Sequence, residues 1–252
     1  MNPVFTIEIP AYGLMVIIGI MSALAICSAR IDKYNYNYRI LLVISVIVLI
    51  GMALGAKILF FITQIPLLIE EFTFEKLIKT FITSGFVFYG GLIGAIIFAQ
   101  LAARLLNIEK NKLLSFLAPS FVIFHAFGRI GCFLAGCCYG IPWKYGIAMA
   151  NDPSTNRFPV QLAEATVEII IFIVLMAIER RKFGCYNLMK IYICCYAVAR
   201  FCLEFLRGDE IRGLWIMGLS TSQIISVIIL ITCVIHTYIA HIKKRDSCRG
   251  AL

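Results

Sequence analysis

The sequence predicts an all-α polytopic membrane protein with about seven transmembrane helices, folded as a single integral membrane domain over residues 1–252. Two observations come from composition: 61% of the residues are hydrophobic with only 15% charged, and the mean hydropathy is +0.92. Soluble domains are about half apolar and about a quarter charged. The third observation is a series of apolar segments, most of them near the roughly 20 residues that a helix needs to cross a bilayer.

The apolar segments follow one another with short polar connections. They cover about residues 12–29, 40–63, 86–106, 113–128, 160–179, 186–206 and 215–241. The fourth is short because it runs into a motif rich in glycine and cysteine. Of the two longest polar stretches, residues 64–85 are expected to form an amphipathic surface segment and residues 139–159 an interfacial loop.

The charge distribution predicts the orientation. The net charge is +9, and the basic residues cluster after alternate apolar segments. They are Arg30, Lys33 and Arg39 after the first, Arg104, Lys110 and Lys112 after the third, Arg180, Arg181 and Lys182 after the fifth, and Lys243, Lys244, Arg245 and Arg249 after the seventh. Because cytoplasmic loops carry the excess of Lys and Arg, we expect the N-terminus outside and the C-terminus in the cytoplasm. Short juxtamembrane clusters do not indicate nucleic-acid binding.

The most informative segment is His125–Gly140, which reads HAFGRIGCFLAGCCYG. It places Arg129 between long apolar segments, where an arginine costs roughly 2.5–3.5 kcal/mol. Such a residue is retained when it binds something, usually an anion. The alternative is an arginine that extends to the interface from a helix end, with glycines that allow close helix packing.

The same motif contains three cysteines and a histidine. The spacing of Cys132, Cys137 and Cys138 is not a zinc-ligand pattern, and no redox C-x-x-C is present. We therefore expect small packing residues, no metal and no cofactor, with a metal site or a transient disulfide as alternatives. His125 is expected to be a core histidine, and a general base is the alternative.

Four further polar patches interrupt the apolar segments. They are Ala11–Met15 (AYGLM), Phe88–Gly94 (FYGGLIG), Arg157–Glu164 (RFPVQLAE) and Tyr196–Glu210 (YAVARFCLEFLRGDE). In the last patch Tyr196, Arg200 and Glu204 recur every four residues, so they share one helix face, and Arg207 is expected one turn further. An ion pair of purely structural role between Arg200 and Glu204 is the alternative, and for Glu164 the alternative is a helix cap or the partner of a neighbouring arginine.

The arginines of these motifs indicate a phosphate ligand. Arg129 and Arg200 are predicted in the outer half of the bundle, with Arg157 and Arg207 nearer the surface. Guanidinium groups match phosphate oxygens bidentately, and glycines let backbone N–H groups approach. In a membrane, the abundant phosphodiester is a phospholipid headgroup.

Taken together and in this order, the five motifs resemble those of the prolipoprotein diacylglyceryl transferase family over about residues 10–212. The resemblance implies a multi-pass enzyme of the bacterial cytoplasmic membrane. Such an enzyme moves diacylglyceryl from phosphatidylglycerol to the lipobox cysteine thiol of a prolipoprotein, and glycerol phosphate leaves. The implied partners are phosphatidylglycerol, the prolipoprotein signal peptide with its lipobox, and the lipid bilayer.

The resemblance also implies roles for individual residues. The family's arginines fall on Arg129 and Arg200, and its glutamate on Glu204. The residues expected to be catalytic are Arg129, Arg200, Tyr89 and Glu204. Those expected to bind substrate are Tyr12, Gly90, Gly91, Gln161, Glu164, Tyr196 and Arg207. The chain departs from the family's usual pattern at Tyr89, where a histidine is best known, and at Cys132 and Cys137, where asparagine and glutamate are usual.

The implied reaction requires a thiolate and a stabilised leaving phosphate. A phenol with a pKa near 10 is a poor base at neutral pH, so we expect Tyr89 to orient the substrate. The acceptor thiol can instead ionise in the field of the arginines. A non-enzymatic lipid-binding or transport protein, and a transferase for another acceptor, are the alternative functions.

Overall fold

A computed structural model describes residues 11–70, 73, 88–149, 152–181, 187–208 and 219–249, and most of them are α-helical. The helices are α1 (Ala11–Arg30), α2 (Tyr38–Glu70), α3 (Phe88–Leu105), α4 (Lys110–Leu134), α5 (Val160–Arg181), α6 (Leu188–Leu203) and α7 (Thr221–Arg249). Short 3-10 helices cover Asp32–Tyr34 and Glu204–Leu206. The helices lie at the positions of the predicted apolar segments.

Several helices have the length and composition of membrane spans. Among the described residues, four qualify: Ala11–Arg30, Tyr38–Ile62, Lys110–Leu134 and Val160–Arg181. Gly90–Leu105 and Thr221–Ile235 are shorter apolar helices. This confirms a mostly helical fold of the polytopic membrane class. The number of seven spans, their orientation and the single domain stay predictions.

A β-hairpin corrects the all-α prediction. Strand β1 (Pro142–Met149) pairs antiparallel with β2 (Asp152–Arg157), where an interfacial loop was expected from the sequence. The first strand alternates large residues favoured in strands, at Trp143, Tyr145 and Ile147. Pairing the two segments also satisfies backbone N–H and C=O groups that an unpaired loop would leave to water.

Helix α4 is longer than predicted, because the motif continues it. The expected segment was 113–128, and the helix runs from Lys110 to Leu134 and therefore includes Arg129. Gly131 faces α1 at close range: a Cβ there would lie 3.0 Å from Tyr12 Cδ2 and 3.2 Å from Met15 Cβ. Small residues permit such approach between helices, so this glycine serves packing and does not end the helix.

The end of the sixth segment also differs from the prediction. Helix α6 stops at Leu203, and Arg207 is extended, with φ −81° and ψ 141°. The prediction that Arg207 continues the helix by one turn is therefore wrong. The predicted amphipathic segment 64–85 overlaps the end of α2 and otherwise lies almost wholly outside the described residues.

The described residues form two compact units. One contains residues 26–117, and the other contains residues up to 25 together with those from 118 onward. In the 26–117 unit, α2 and α3 meet through glycines. A Cβ at Gly55 would lie 2.2 Å from the Gly90 carbonyl oxygen, and one at Gly94 would lie 2.1 Å from that of Gly51. This small-residue packing brings the two helix backbones into contact.

Candidate functional site

Two arginines and a glutamate from three different helices meet in the unit that contains the residues from 118 onward. Arg129 Nε of α4 lies 2.6 Å from Glu164 Oε2 of α5. The other carboxylate oxygen of Glu164, Oε1, accepts a hydrogen bond from Arg200 Nη1 of α6. One carboxylate therefore bridges two guanidinium groups.

Arg200 has further partners beyond Glu164. Its Nη2 lies 2.6 Å from Glu204 Oε2 and donates a hydrogen bond of 3.2 Å to Ser222 Oγ at the start of α7. The Arg200–Glu204 ion pair considered in the sequence analysis is thus present. It belongs to a larger cluster, which we call the arginine clamp and define as Arg129, Glu164, Arg200 and Glu204.

The arginine clamp is buried and electrically balanced. The exposed fractions are 8% for Arg129, 4% for Glu164, 3% for Arg200 and 2% for Glu204. Two positive and two negative groups give these four residues a net charge of zero. Buried charges persist when they are paired, and electrostatic interactions strengthen as water is excluded. Arg207, also buried, adds a positive charge to the same unit.

Backbone contacts bring three of the sequence motifs together at Gly140. A β-bridge joins Gly140 to Arg207, and Gly208 N donates to Tyr139 O at 3.0 Å. On the other side, a Cβ at Gly140 would lie only 2.3 Å from Phe158 O. Only glycine fits between these two chain segments. The end of the cysteine motif is therefore held against the residues just before α5 and the residues just after α6.

Two predicted binding residues lie against the same motif. Gln161 Nε2 donates a hydrogen bond of 2.7 Å to Cys137 O, and its buried Oε1 has no hydrogen-bond partner in the described part of the chain. Tyr12 is 43% exposed, with its ring against Gly131. Gln161 therefore fixes the motif's backbone, whereas Tyr12 is accessible.

A second buried cluster was only partly anticipated by sequence reasoning. His125 Nδ1 lies 2.7 Å from Glu168 Oε1 and 3.2 Å from Tyr192 OH. The Tyr196 ring contacts the imidazole edge-to-face, with centroids 4.8 Å apart. His125 is 2% exposed, as expected for a core histidine. Glu168 was missed, although it follows Glu164 by four residues on the same face of an apolar helix.

The hairpin positions Arg157 differently from the arginine clamp. Its Nη2 lies 3.1 Å from Asp152 Oδ2, and its guanidinium carbon lies 4.3 Å from the centroid of the Tyr139 ring. Hydrogen bonds from the Ser154 hydroxyl and from Arg157 hold the pKa of Asp152 below its usual value. Arg157 thus stabilises the hairpin in this structure.

The three cysteines of the motif lie close together. The Sγ atoms of Cys132, Cys137 and Cys138 are all within 4.8 Å of one another. The chain returns after α4 because Gly136 and Cys138 adopt positive φ angles of 67° and 58°. The three thiols could hold a metal ion, whereas small packing residues were expected from the sequence.

The remaining predicted residues belong to the 26–117 unit. Tyr89 lies in the first turn of α3, and its side chain is outside the described part of the structure. Gly90 packs against Gly55 of α2, and a Cβ at Gly91 would lie 3.3 Å from Met52 Cγ. The binding roles assigned to these residues stay predictions.

Known proteins of one family match this chain over nearly its whole length. A sequence model of the family described as prolipoprotein diacylglyceryl transferase matches residues 3–239. A phosphatidylglycerol–prolipoprotein diacylglyceryl transferase of Clostridium tetani is 34% identical over 246 residues, which cover 95% of each chain. The Clostridium perfringens protein of that name, numbered 2, is 30% identical over 253 residues, covering 98% of this chain and 97% of its own. The Campylobacter hominis relative is 30% identical, covering 90% and 85%.

Proposed function

Because the chain belongs to the prolipoprotein diacylglyceryl transferase family, we propose that it transfers the diacylglyceryl group of phosphatidylglycerol to the lipobox cysteine of a prolipoprotein. A carbon–sulfur bond forms at the glycerol carbon of the lipid, the carbon–oxygen bond to phosphate breaks, and glycerol phosphate leaves. This is the first step of lipoprotein maturation. The observation that supports the site is the buried bridge from Arg129 through Glu164 to Arg200.

The arginine clamp is suited to a phosphate that gains charge. The phosphodiester has one negative charge, and the phosphate monoester that leaves has up to two. Each guanidinium carries five N–H donors in a planar fork, so it can bind a carboxylate and a phosphate oxygen together. Donors held in place before the reaction stabilise the charge that develops in the transition state. Arg129 and Arg200 are assigned this role.

The glutamates keep the guanidinium groups in place. Glu164 holds Arg129 and Arg200 at a fixed separation, and Glu204 orients Arg200 from its own helix. Fixing the arginines in advance removes the cost of ordering two long side chains when the lipid binds. Both glutamates act on the arginines, so we assign them as positioning residues, in place of the catalytic role expected for Glu204 and the substrate contact expected for Glu164.

The nucleophile comes from the acceptor peptide. Its thiol, with a reference pKa near 8.5, ionises more readily close to cationic groups, which the clamp arginines and Arg207 supply. Tyr89 is assigned to orienting the lipid with Gly90 and Gly91. The other assigned contacts to substrate are Tyr12, Gln161, Tyr196 and Arg207.

We assign the chain to the bacterial cytoplasmic membrane as one multi-pass domain with seven spans. The N-terminus is outside and the C-terminus is cytoplasmic, because the basic clusters follow the odd-numbered spans. In this orientation the site opens toward the outer face, where a prolipoprotein signal peptide is presented. Phosphatidylglycerol reaches the site from the bilayer.

The direct test is transfer by the purified chain from phosphatidylglycerol vesicles to a synthetic lipobox peptide, measured as the mass gain of the peptide. We expect a diacylglyceryl thioether from the cysteine peptide and no product from the same peptide with serine. Arg129→Ala and Arg200→Ala should abolish transfer, and Arg104→Ala, at an exposed position, should not.

The same preparations separate catalysis from lipid binding. A wild-type chain that binds the vesicles, leaves the peptide unmodified and fails to restore growth of a bacterium depleted of its own diacylglyceryl transferase would be a lipid-binding or transport protein. Equal activity of both alanine variants and wild type would remove the arginine clamp from the mechanism.

A further inference from the structure

Cys132, Cys137 and Cys138 form a cluster that the proposed transfer does not use. All three Sγ atoms lie within 4.8 Å of one another, and Cys137 Sγ donates a hydrogen bond of 3.6 Å to Cys132 O. Cys137 is exposed and the other two are partly exposed. Among the described residues this is the one group of three or more side chains with metal-ligand atoms at such range.

The backbone is bent so that the sulfurs meet. Cys132 belongs to the last turn of α4. Its two partners, Cys137 and Cys138, lie in the turn that follows, in which Gly136 and Cys138 have positive φ. A cysteine in the left-handed region costs on the order of 1 kcal/mol relative to ordinary backbone. Gln161 holds the turn through its hydrogen bond to Cys137 O. The closeness of the thiols is therefore imposed by the fold.

The spacing suits three thiolates around one ion. A cation about 2.3 Å from each sulfur in tetrahedral geometry holds the sulfurs about 3.8 Å apart. Separations of up to 4.8 Å then have to shorten by at most about 1 Å, which is within the reach of a side-chain rotation. Thiolates select soft ions such as Zn²⁺ and Cu⁺ over Mg²⁺ or Ca²⁺.

The charges around the cluster favour the bound form. Arg129 and Arg207 both act electrostatically on Cys138, and Arg129 also acts on Cys132. Three thiolates and a divalent ion together carry one negative charge, which these guanidinium groups stabilise.

We propose that Cys132, Cys137 and Cys138 bind one thiophilic cation through three thiolates, one helical turn from the arginine clamp. Zn²⁺ is the representative of this class in proteins. Three protein ligands leave a fourth tetrahedral position for water or another exogenous ligand. The proposal does not depend on the proposed function, because binding is measured without lipid or peptide.

The test is a titration of the full-length chain, purified in detergent under reducing, metal-free conditions, with Cd²⁺ alone. The sulfur-to-cadmium charge-transfer absorbance reports thiolate ligation, and metal analysis after dialysis gives the stoichiometry. We expect one Cd²⁺ per chain. Cys132→Ser and Cys138→Ser should each weaken binding at least about 10-fold, since a thiolate ligand is lost.

The matched control is Cys194→Ser, which disrupts a pair of thiols formed with Cys233 across α6 and α7. It should leave the Cd²⁺ affinity within about twofold of wild type. Folding of each variant is checked by helical content and by elution as a single species. If one of the two single variants is lost during purification, the other still decides the outcome.

The proposal is overturned by any of three results. One is absence of stoichiometric Cd²⁺ binding by the reduced wild-type chain. The second is equal binding by wild type and both single cysteine variants. The third is a disulfide among these cysteines, found by thiol counting and peptide mapping of the chain kept from air, that reforms after reduction and prevents binding.

Discussion

Replacement of Arg200 by lysine tests whether geometry or charge alone matters at the arginine clamp. Arg200 contacts Glu164 through Nη1, and Glu204 and Ser222 through Nη2, so its two terminal nitrogens serve different partners. A lysine keeps the charge but offers one ammonium nitrogen. It cannot hold both carboxylates in the same arrangement.

The expected loss of activity follows from the burial of the ion pairs that Arg200 forms with the two glutamates. Arg200 is 3% exposed and both of its glutamate partners are equally inaccessible. Breaking a buried ion pair costs about 3–5 kcal/mol, and we take the lower value because lysine retains a positive charge. If about 3 kcal/mol of stabilisation is lost from the transition state, the rate falls roughly 100-fold.

The assay is the initial rate of diacylglyceryl transfer to a lipobox peptide, with kcat and KM measured separately and helical content as the folding check. We expect Arg200→Lys to lower kcat/KM roughly 100-fold. The control, Arg104→Lys at an exposed position on α3, should stay within about twofold. If Arg200→Lys retains nearly full activity while Arg200→Ala has none, positive charge is sufficient and the role of the planar fork is refuted.

Three further predictions address the bridging carboxylate, the tyrosine and the topology. Glu164→Gln leaves the arginine clamp with a net positive charge, so it should lower the free energy of unfolding by about 3 kcal/mol in denaturant titrations and abolish transfer. The control, Glu109→Gln at an exposed position, should do neither. An unchanged denaturation midpoint for Glu164→Gln would contradict the bridging role. Tyr89→Phe should lower the rate about 10-fold, or about 1.4 kcal/mol, and keep the pH profile, and loss of a pH-dependent limb would instead identify a base. Reporter fusions should show Lys112 in the cytoplasm and Pro153 outside, and a cytoplasmic signal at Pro153 would reverse the orientation.

Much of the fold could be predicted because it depends on local composition. Apolar segments of sufficient length become helices in a bilayer, since only a helix satisfies its own backbone there. The residues at which α4 and α6 end were less predictable. Gly131 is followed by further helix because α1 lies against it, and Arg207 leaves the helix because the chain pairs with Gly140. Neither cause is visible within a local segment.

The hairpin, too, could not be predicted from its own residues. Its first strand has alternating large residues, yet polar and proline-containing stretches of this kind equally form loops. What distinguishes the two outcomes is a partner strand that pairs with the segment, here with two shifts of register. That partner, Asp152–Arg157, consists of small, polar and charged residues with little strand preference of its own.

The sequence by itself determined the membrane class, the helix positions and the identities of the motif residues, including Arg129, Arg200 and Glu164. Only the tertiary structure decided that Glu164 bridges both arginines, that Glu168 pairs with His125, and that three thiols meet. The physical reason is that contacts between helices depend on how far each helix is rotated about its axis and on its depth relative to its neighbours. Those quantities result from packing over the whole unit, and a helical repeat specifies only which residues share a face.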